Sequence, residues 1–440
     1  MERLLTVTLE ELTAWLKHQR WFGGKGVPIS KVESLERIPL QSAAEAEASI
    51  VRVSYVLGAP ETYLVLLQRM PDGSLRDALE DPGVARAVLD FTRDARQVPL
   101  GAGVVRAATI GHGAEVLASL SREPSVRALG VEQSNTSVVV GDKVLLKVLR
   151  KLEVGLSPEV EMGRFLVTHG FRSTPQLLAA LTLEGPSASE LALLYAFVPN
   201  QGDGWDWLTG VLRESPEPPP EVLARLERLG HRVGELHRVL ASDETDPAFA
   251  PEPIHQEDLQ RWSSSIVGEL GVTLAKAASR FPELAERQDA LTERAKSLAS
   301  LTPSGQKIRQ HGDLHLGQAL WTGDDWMVID FEGEPARPYA ARREKHTPLR
   351  DVAGMLRSFS YATSVAGLAP AARRKALSAT KSAFLRGWRE AIRGTGLLPA
   401  SDADARTMLD VLELEKTLYE LRYELQMRPD WAHIPAEALA

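Results

Sequence analysis

A chain of 440 residues, 44% hydrophobic and 25% charged, has ample material for buried cores, which excludes disordered and collagen-like structure. At ~150 residues per domain the length calls for two to three domains, or one bilobal unit with an appended module. The 51 Lys and Arg stand against 59 Asp and Glu, and a net charge of −8 gives no general attraction to polyanions, so no nucleic-acid partner is expected.

Cysteine is absent, which removes disulfides, thiolate metal sites and cysteine nucleophiles together. The chain opens MERLLTVTLEELTAWL, where Glu10 and Glu11 break the apolar run and no small-residue cleavage site follows, so a secretory signal is not expected. No stretch approaches the ~20 apolar residues of a membrane span, and a cytoplasmic location with no membrane partner is expected. Gly23-Gly24-Lys25-Gly26 fails the phosphate-loop spacing, because a glycine follows the lysine, and reads as a turn. From Glu33 to Gln68 the pattern is strand-like, with SIVRVSYVL and ETYLVLLQR separated by Gly58-Ala59-Pro60. Residues 74–96 read as a short helix pair.

A second β-rich region runs from about Gly101 to Val148. In it Thr136 to Val140, Gly141-Asp142 and Lys143 to Val148 read as strand, tight turn and strand. Ser157-Pro158-Glu159 opens a helix, with Ser as N-cap and Pro at the first position. After about Phe197 the chain becomes mainly helical, interrupted by Pro- and acid-rich loops at 214–220 and 242–257. His231 and His237 lie six apart, which does not place them on one helix face for a metal, and they read as surface or helix-packing residues.

The chemistry concentrates in Gln310-His311-Gly312-Asp313-Leu314-His315-Leu316-Gly317-Gln318, followed after a turn by Val328-Ile329-Asp330-Phe331-Glu332-Gly333. A kinase needs an Asp to accept the acceptor's hydroxyl proton, an oxygen ligand five positions on, and a second Asp that binds Mg²⁺ across the phosphates. Asp313, Gln318 and Asp330 supply these in order, with Glu332 as a further metal ligand and His315 as a residue of the catalytic loop. Gln318 stands where most kinases have Asn, its amide oxygen on a stem one methylene longer. Upstream, Lys147 ends an apolar strand and Glu161 lies in the helix that follows, the order of the ion pair that holds a lysine on the ATP phosphates. The hairpin expected over the phosphates carries Glu132-Gln133-Ser134-Asn135-Thr136-Ser137 in place of a glycine-rich loop, so hydroxyls and amides are expected to meet phosphate oxygens.

With these motifs the chain resembles the aminoglycoside-phosphotransferase-like kinases, whose hallmark is His-Gly-Asp-x-His followed by Ile-Asp-Phe. Within that superfamily it is similar to the bacterial maltokinases, which make maltose 1-phosphate from maltose and ATP. That closer resemblance rests on Gln19-Arg20-Trp21-Phe22 with Gly24-Lys25, Glu132 to Ser137, and Asn200-x-x-Asp203-Gly204-Trp205. It rests also on His311 to Gln318 with Ile329 to Pro335, and on Tyr419-Glu420-x-x-Tyr423-Glu424 with Arg428-Pro429-Asp430-Trp431. It implies an α+β, bilobal protein-kinase-like fold with a β-rich cap at residues 1–95, a β-rich lobe at 96–199 and a helical lobe at 200–440. ATP is then expected between the two lobes, with its adenine on the hinge Tyr195-Ala196-Phe197-Val198, where Ala196 and Val198 offer backbone groups.

The C-terminal helix adds an acceptor wall. Leu414, Leu418, Leu421 and Leu425 form an apolar stripe, and an adjacent face presents Lys416, Tyr419, Glu420, Tyr423 and Glu424. An aromatic platform flanked by carboxylates suits a sugar, so Tyr419, Glu420, Tyr423, Glu424 and Arg428 are expected at the sugar with Asp313. Two alternatives stay open: a kinase of another alcohol such as an aminoglycoside, glucosamine or glucose, and a non-catalytic module whose cap binds a partner such as a trehalose-to-maltose enzyme. The intact Lys147, Asp313, Gln318 and Asp330 argue against the second, and a docking cap is compatible with an active kinase.

Overall fold

A computed structural model describes residues 7–40, 46–129, 135–335 and 337–440. The chain forms two compact units, one ending at Val198 and one beginning at Pro199.

The first unit holds two antiparallel sheets. Helix α1 (Leu9–His18) leads to β1 (Ile29–Pro39), β2 (Ala46–Tyr55), β3 (Glu61–Arg69) and β4 (Leu75–Asp77), then α2 (Pro82–Arg93), β5 (Gln97–Leu100), β6 (Gly103–Thr109) and α3 (Gly113–Ala118). There follow β7 (Val126–Ala128), β8 (Asn135–Val140), β9 (Val144–Leu149), β10 (Lys151–Leu152), α4 (Pro158–Thr168), β11 (Leu177–Glu184) and β12 (Ser189–Ala196). The smaller sheet runs β1-β2-β3-β10, with β4 on β3, and the larger runs β5-β6-β11-β12-β9-β8-β7. The helix pair expected at 74–96 is instead β4, one 3₁₀ turn and α2. Asp77 caps the turn and Asp81 caps α2 in front of Pro82, and these two caps cut the segment.

Strand β3 explains how the layers stack. Its apolar run is buried on both faces: Leu64 and Leu66 face a core shared with the larger sheet, including Val105, Leu146 and Leu181. Tyr63, Val65 and Leu67 face a second core with Leu12, Leu16, Trp21 and Phe22. Alternation of side chains along a strand makes this division automatic. The chain crosses from the larger sheet to the smaller at Arg150, whose carbonyl accepts from Leu64 N at 2.8 Å. The Arg150 guanidinium is fully buried, 2.5 Å from Asp77 and stacked over Trp21.

The second unit is helical. It contains α5 (Gly204–Glu214), α6 (Pro220–Leu240), β13 (Glu252–Pro253), α7 (Gln256–Ala277), α8 (Gln288–Lys296), β14 (Gln306–Lys307), β15 (Ala319–Trp321) and β16 (Trp326–Val328). It continues with α9 (Tyr339–Arg342), α10 (Leu349–Val365), α11 (Pro370–Ala391), α12 (Asp402–Met427) and α13 (His433–Leu439). Helix α10 is the hub, buried over most of its length. Helices α6 and α11 cross at two glycines: a Cβ on Gly230 would lie 1.9 Å from the Phe384 carbonyl oxygen, and one on Gly387 1.8 Å from that of Glu227. The short hairpin β15–β16 is anchored by Trp326, fully buried, whose indole N–H donates to the Arg225 carbonyl at 2.8 Å. No helix among the described residues is long and apolar enough to cross a membrane.

Candidate active site

In the first unit, Leu146 and Val148 point into the core between the sheets, so Lys147 points to the opposite face, where α4 packs through Val160. There Lys147 Nζ lies 2.9 and 3.1 Å from the two carboxylate oxygens of Glu159. Tyr195 fixes that carboxylate from the other side, donating its hydroxyl at 2.7 Å. The pairing expected of Glu161 is therefore made by Glu159. The two acids are ~200° apart around the helix, and Ser157 and Pro158 set the phase that turns Glu159 toward the strand.

Strands β7 and β8, which flank the segment expected to cover the phosphates, pair antiparallel with Ala128 opposite Val138. Ser134, with Glu132 and Gln133, lies outside the described residues. Asn135, Thr136 and Ser137 are the first residues of β8 and not a loop tip. The Thr136 hydroxyl accepts from Arg150 Nε at 3.0 Å, which turns it into the structural arginine cluster. Ser137 is the direct cross-strand neighbour of Lys147, and its buried hydroxyl has no hydrogen-bond partner among the described residues. At the end of β12, Ala196 N donates to Gln176 O and Phe197 N to Lys143 O, both at 2.8 Å, so these two amides serve the sheet. Val198 closes the unit.

In the second unit, the loop from Gln310 to Gln318 is laid along α10. Asp351, on the first turn of that helix, accepts the backbone N–H of His311 at 2.8 Å and of Gly312 at 2.9 Å. Ser358 receives Leu316 N at 3.1 Å, and Gln310 donates its amide to the Thr347 carbonyl at 2.6 Å. Gly354 allows the approach, since a Cβ there would lie 2.7 Å from the Leu314 carbonyl oxygen. The His311 ring donates from Nε2 to the Ile329 carbonyl at 2.8 Å and accepts Asp313 N at Nδ1, tying the Asp313 loop to the strand that leads to Asp330. His315 accepts Gly317 N at 3.1 Å and so caps the one-turn 3₁₀ helix carrying Gln318. It orients the loop.

Asp330 adopts the left-handed conformation, φ 68°, which is uncommon outside glycine. Its carboxylate meets the Gln318 side-chain amide at 3.0 Å, and one of its oxygens lies within 4.8 Å of one from Glu332. Two carboxylates are hard oxygen donors of the kind a magnesium ion takes, so Asp330 and Glu332 fit that ion, with Gln318 beside them donating its Nε2 N–H to Asp330.

Asp313 lines a cavity with Glu334, Arg350, Lys416 and Tyr419. Its Oδ1 is 3.1 Å from Lys416 Nζ, and among the described residues Oδ2 has no hydrogen-bond partner. Burial pushes the Asp313 carboxyl up, but Lys416, backed by His315 and His311, outweighs it and holds the group below its ordinary value. Burial pushes the His315 imidazole down, beyond what Asp313 restores.

Part of the expected acceptor wall lies elsewhere. Glu420 accepts from Arg357 Nε of α10 at 2.8 Å. Glu424, buried, holds Arg428 at 2.6 Å and accepts the Tyr361 hydroxyl at 3.3 Å. Glu420 serves helix packing because the buried Arg357 on α10 demands a counter-charge, Glu424 ties Arg428 and Tyr361 together, and neither acid lines the Asp313 cavity. Tyr423 is 39% exposed, with its ring 6.3 Å from that of Tyr419, and Arg428 lies over both Tyr423 and Trp431. Trp431 stacks in turn on Trp205. In the sequence Glu159 is legible only as part of a helix start and His237 only as a surface or helix-packing residue, while sequence reasoning misses Asp351, an acid with no motif around it.

Residues 125–388 match the phosphotransferase enzyme family, and residues 15–81 match the maltokinase N-terminal cap domain. A glucosamine kinase of Mycolicibacterium smegmatis is 28% identical over 386 residues, 84% of this chain and 90% of its own. A glucosamine kinase of Streptacidiphilus jiangxiensis is 29% identical over 409 residues, 82% and 90% of the two chains. Among solved structures, a glucosamine kinase in complex with glucosamine, ADP and inorganic phosphate is similar with a TM-score of 0.68, at 24% identity and 99% coverage of both chains. Another crystal form reaches 0.71 at 23% identity and the same coverage. The fold is thus kinase-like, antiparallel sheets followed by a helical part. With the family match covering the lysine strand, the His-Gly-Asp loop and Asp330, the chain belongs to the phosphotransferase enzyme family and is an ATP-dependent phosphotransferase acting on a hydroxyl group.

Proposed function

We propose that this enzyme phosphorylates a neutral sugar, maltose, to maltose 1-phosphate. The observation that carries the reading is the charge balance of the Asp313 cavity. Glu269 pairs with Arg422 at 2.5 Å, Glu334 with Arg337 at 2.5 Å, Glu415 with Arg350 at 3.0 Å and Asp313 with Lys416 at 3.1 Å. Asp351, the remaining acid, is engaged by His237 and two backbone amides. Each carboxylate already has its counter-group, so an acceptor rich in hydroxyls fits better than one bringing its own ammonium. The aromatic track Tyr419, Tyr423, Trp431 and Trp205, with Arg428 between, supports an acceptor of more than one ring, whose apolar faces could lie along it.

In this mechanism Asp313 Oδ2 takes the proton of the acceptor hydroxyl as its oxygen forms a bond to the γ-phosphorus and the bond to the β–γ bridging oxygen breaks, releasing ADP. Lys147, held by Glu159, neutralises phosphate charge, and the buried Ser137 hydroxyl beside it donates to a phosphate oxygen, with Asn135 near the same strand end. Gln318, Asp330 and Glu332 would hold Mg²⁺, which when bound offsets charge on the phosphates. Ala196 and Val198 meet the adenine through backbone groups. Residues 1–95 act as the cap, on which a trehalose-to-maltose enzyme could dock, and ATP use fits a cytoplasmic location. A second reading, an amino-sugar kinase, draws support from the two relatives named glucosamine kinases along most of their length. A coupled ATP-consumption assay across maltose, glucose, glucosamine, trehalose and an aminoglycoside, with product position read by NMR, tests the proposal. Turnover of maltose at the anomeric oxygen supports it, and turnover of amino-sugars alone overturns it.

A further inference from the structure

The Asp313–Lys416 pair is unlike the other ion pairs of the cavity, because its anion is the group expected to receive the acceptor's proton. The two side chains are 25% and 26% exposed, so the pair looks into the cavity and is not sealed behind it. The Lys416 ammonium also lies 4.8 Å from the centre of the Tyr419 ring, which fixes it between an anion and a π face. From α12 it is flanked by Tyr419 and Glu420, and Glu334, His311 and His315 also act on the pair, while Arg337, Arg350, Asp351 and Glu415 line the same cavity. Its neighbours are committed elsewhere, Glu420 to Arg357 and Glu334 to Arg337.

We propose that Lys416 is a positioning and specificity residue: it pins one oxygen of Asp313 so that the other faces the acceptor hydroxyl, and it excludes acceptors that carry an ammonium near that hydroxyl. The inference rests on Asp313 acting as the base, and it names the single side chain responsible for the acceptor's charge class. An acceptor ammonium brought to Asp313 must either approach a cation already there or displace it. Two like charges at ~4 Å in a partly buried site oppose each other enough to cost about 10²-fold in kcat/KM. A hydroxyl in the same place meets no such penalty. Burial would lift the Asp313 carboxyl if Lys416 were absent, so the same side chain also keeps the base ionised.

Glucose and glucosamine differ at one position, hydroxyl against ammonium, and therefore report charge alone, with maltose as reference acceptor. In the wild type we expect glucose to be favoured over glucosamine by about 10²-fold in kcat/KM. Lys416→Met should reduce that preference at least tenfold and move the acid limb of kcat/KM for maltose upward in pH, while Lys416→Arg should restore both. Lys416→Gln serves if the Met variant melts early. A wild type active on neutral sugars whose Met and Gln variants keep both the preference and the acid limb overturns the role of Lys416 and leaves the sugar-kinase reading intact. A wild type that turns over no neutral sugar overturns the functional reading itself, and one that prefers glucosamine with Lys416 in place overturns the exclusion.

Discussion

His237 and Asp351 face each other at 3.2 Å with side chains 0% and 1% exposed, joining α6 to the first turn of α10. The Trp388 indole can only donate, and it donates to His237 Nδ1 at 3.0 Å, so the imidazole is the tautomer that carries its proton on Nε2 and gives it to Asp351. The carboxylate thus receives three N–H groups, two of them the backbone of His311 and Gly312. That is a rigid mount for the loop bearing Asp313. Asp351→Asn keeps the shape but loses charge-assisted bonds, and should cost about 1.5–3 kcal/mol in denaturant unfolding. It should also lower kcat by roughly 10²-fold through misplacement of the loop, with the KM for ATP nearly unchanged.

Asp313→Asn should lower kcat by about 10²–10⁴-fold and leave ATP binding, measured by calorimetry, close to wild type. The pH dependence follows from the sign of the shift. A base held below its ordinary value stays ionised as pH falls and is lost only when pH drops through the depressed value. The wild-type kcat profile should therefore lack an acid limb at the ordinary carboxylate pKa, as long as circular dichroism shows the fold intact.

For Asp330→Ala the expected loss is in nucleotide binding that depends on Mg²⁺, weakened at least tenfold, with metal-free nucleotide binding less affected. Titration of nucleotide with and without the ion separates the two.

The choice between Glu159 and Glu161 is open to a direct comparison. Glu159→Gln should raise the KM for ATP about tenfold or more by releasing Lys147 from a buried pair, whereas Glu161→Gln should change it by less than about threefold.

Gly387→Ala places a methyl against the Glu227 backbone, where neither helix can yield as a flexible side chain would. A loss of about 1–3 kcal/mol or more is expected, read as a lower midpoint in thermal or denaturant unfolding.

Much of this arrangement is legible in the residues themselves. The spacing of Asp313, Gln318 and Asp330 survives folding because the loop and hairpin between them are short, so sequence distance nearly fixes spatial distance. The Gly141-Asp142 turn is legible for the same reason, with φ values of 59° and 52° at its two centres. What the sequence hides is helix phase and long-range charge. Nothing local tells Glu159 from Glu161, since the answer depends on which side of α4 meets β9. Nothing near Glu420 or Glu424 announces Arg357 and Tyr361, which arrive from another helix 63 positions away. Asp351 reads as an ordinary acid in the first turn of a helix, and only the loop lying on it gives it a task.

The crossing at Arg150 bears on how such a chain can be recombined. Two consecutive strands, β9 and β10, belong to different sheets, and the residue between them is locked to Asp77 and Trp21. A break near residue 95 would strip the pairing partner of Lys151–Leu152 and expose the leucines and valines beneath β3. Exchange of this N-terminal region between relatives therefore has to carry Arg150 and its neighbours along, or supply a matching edge.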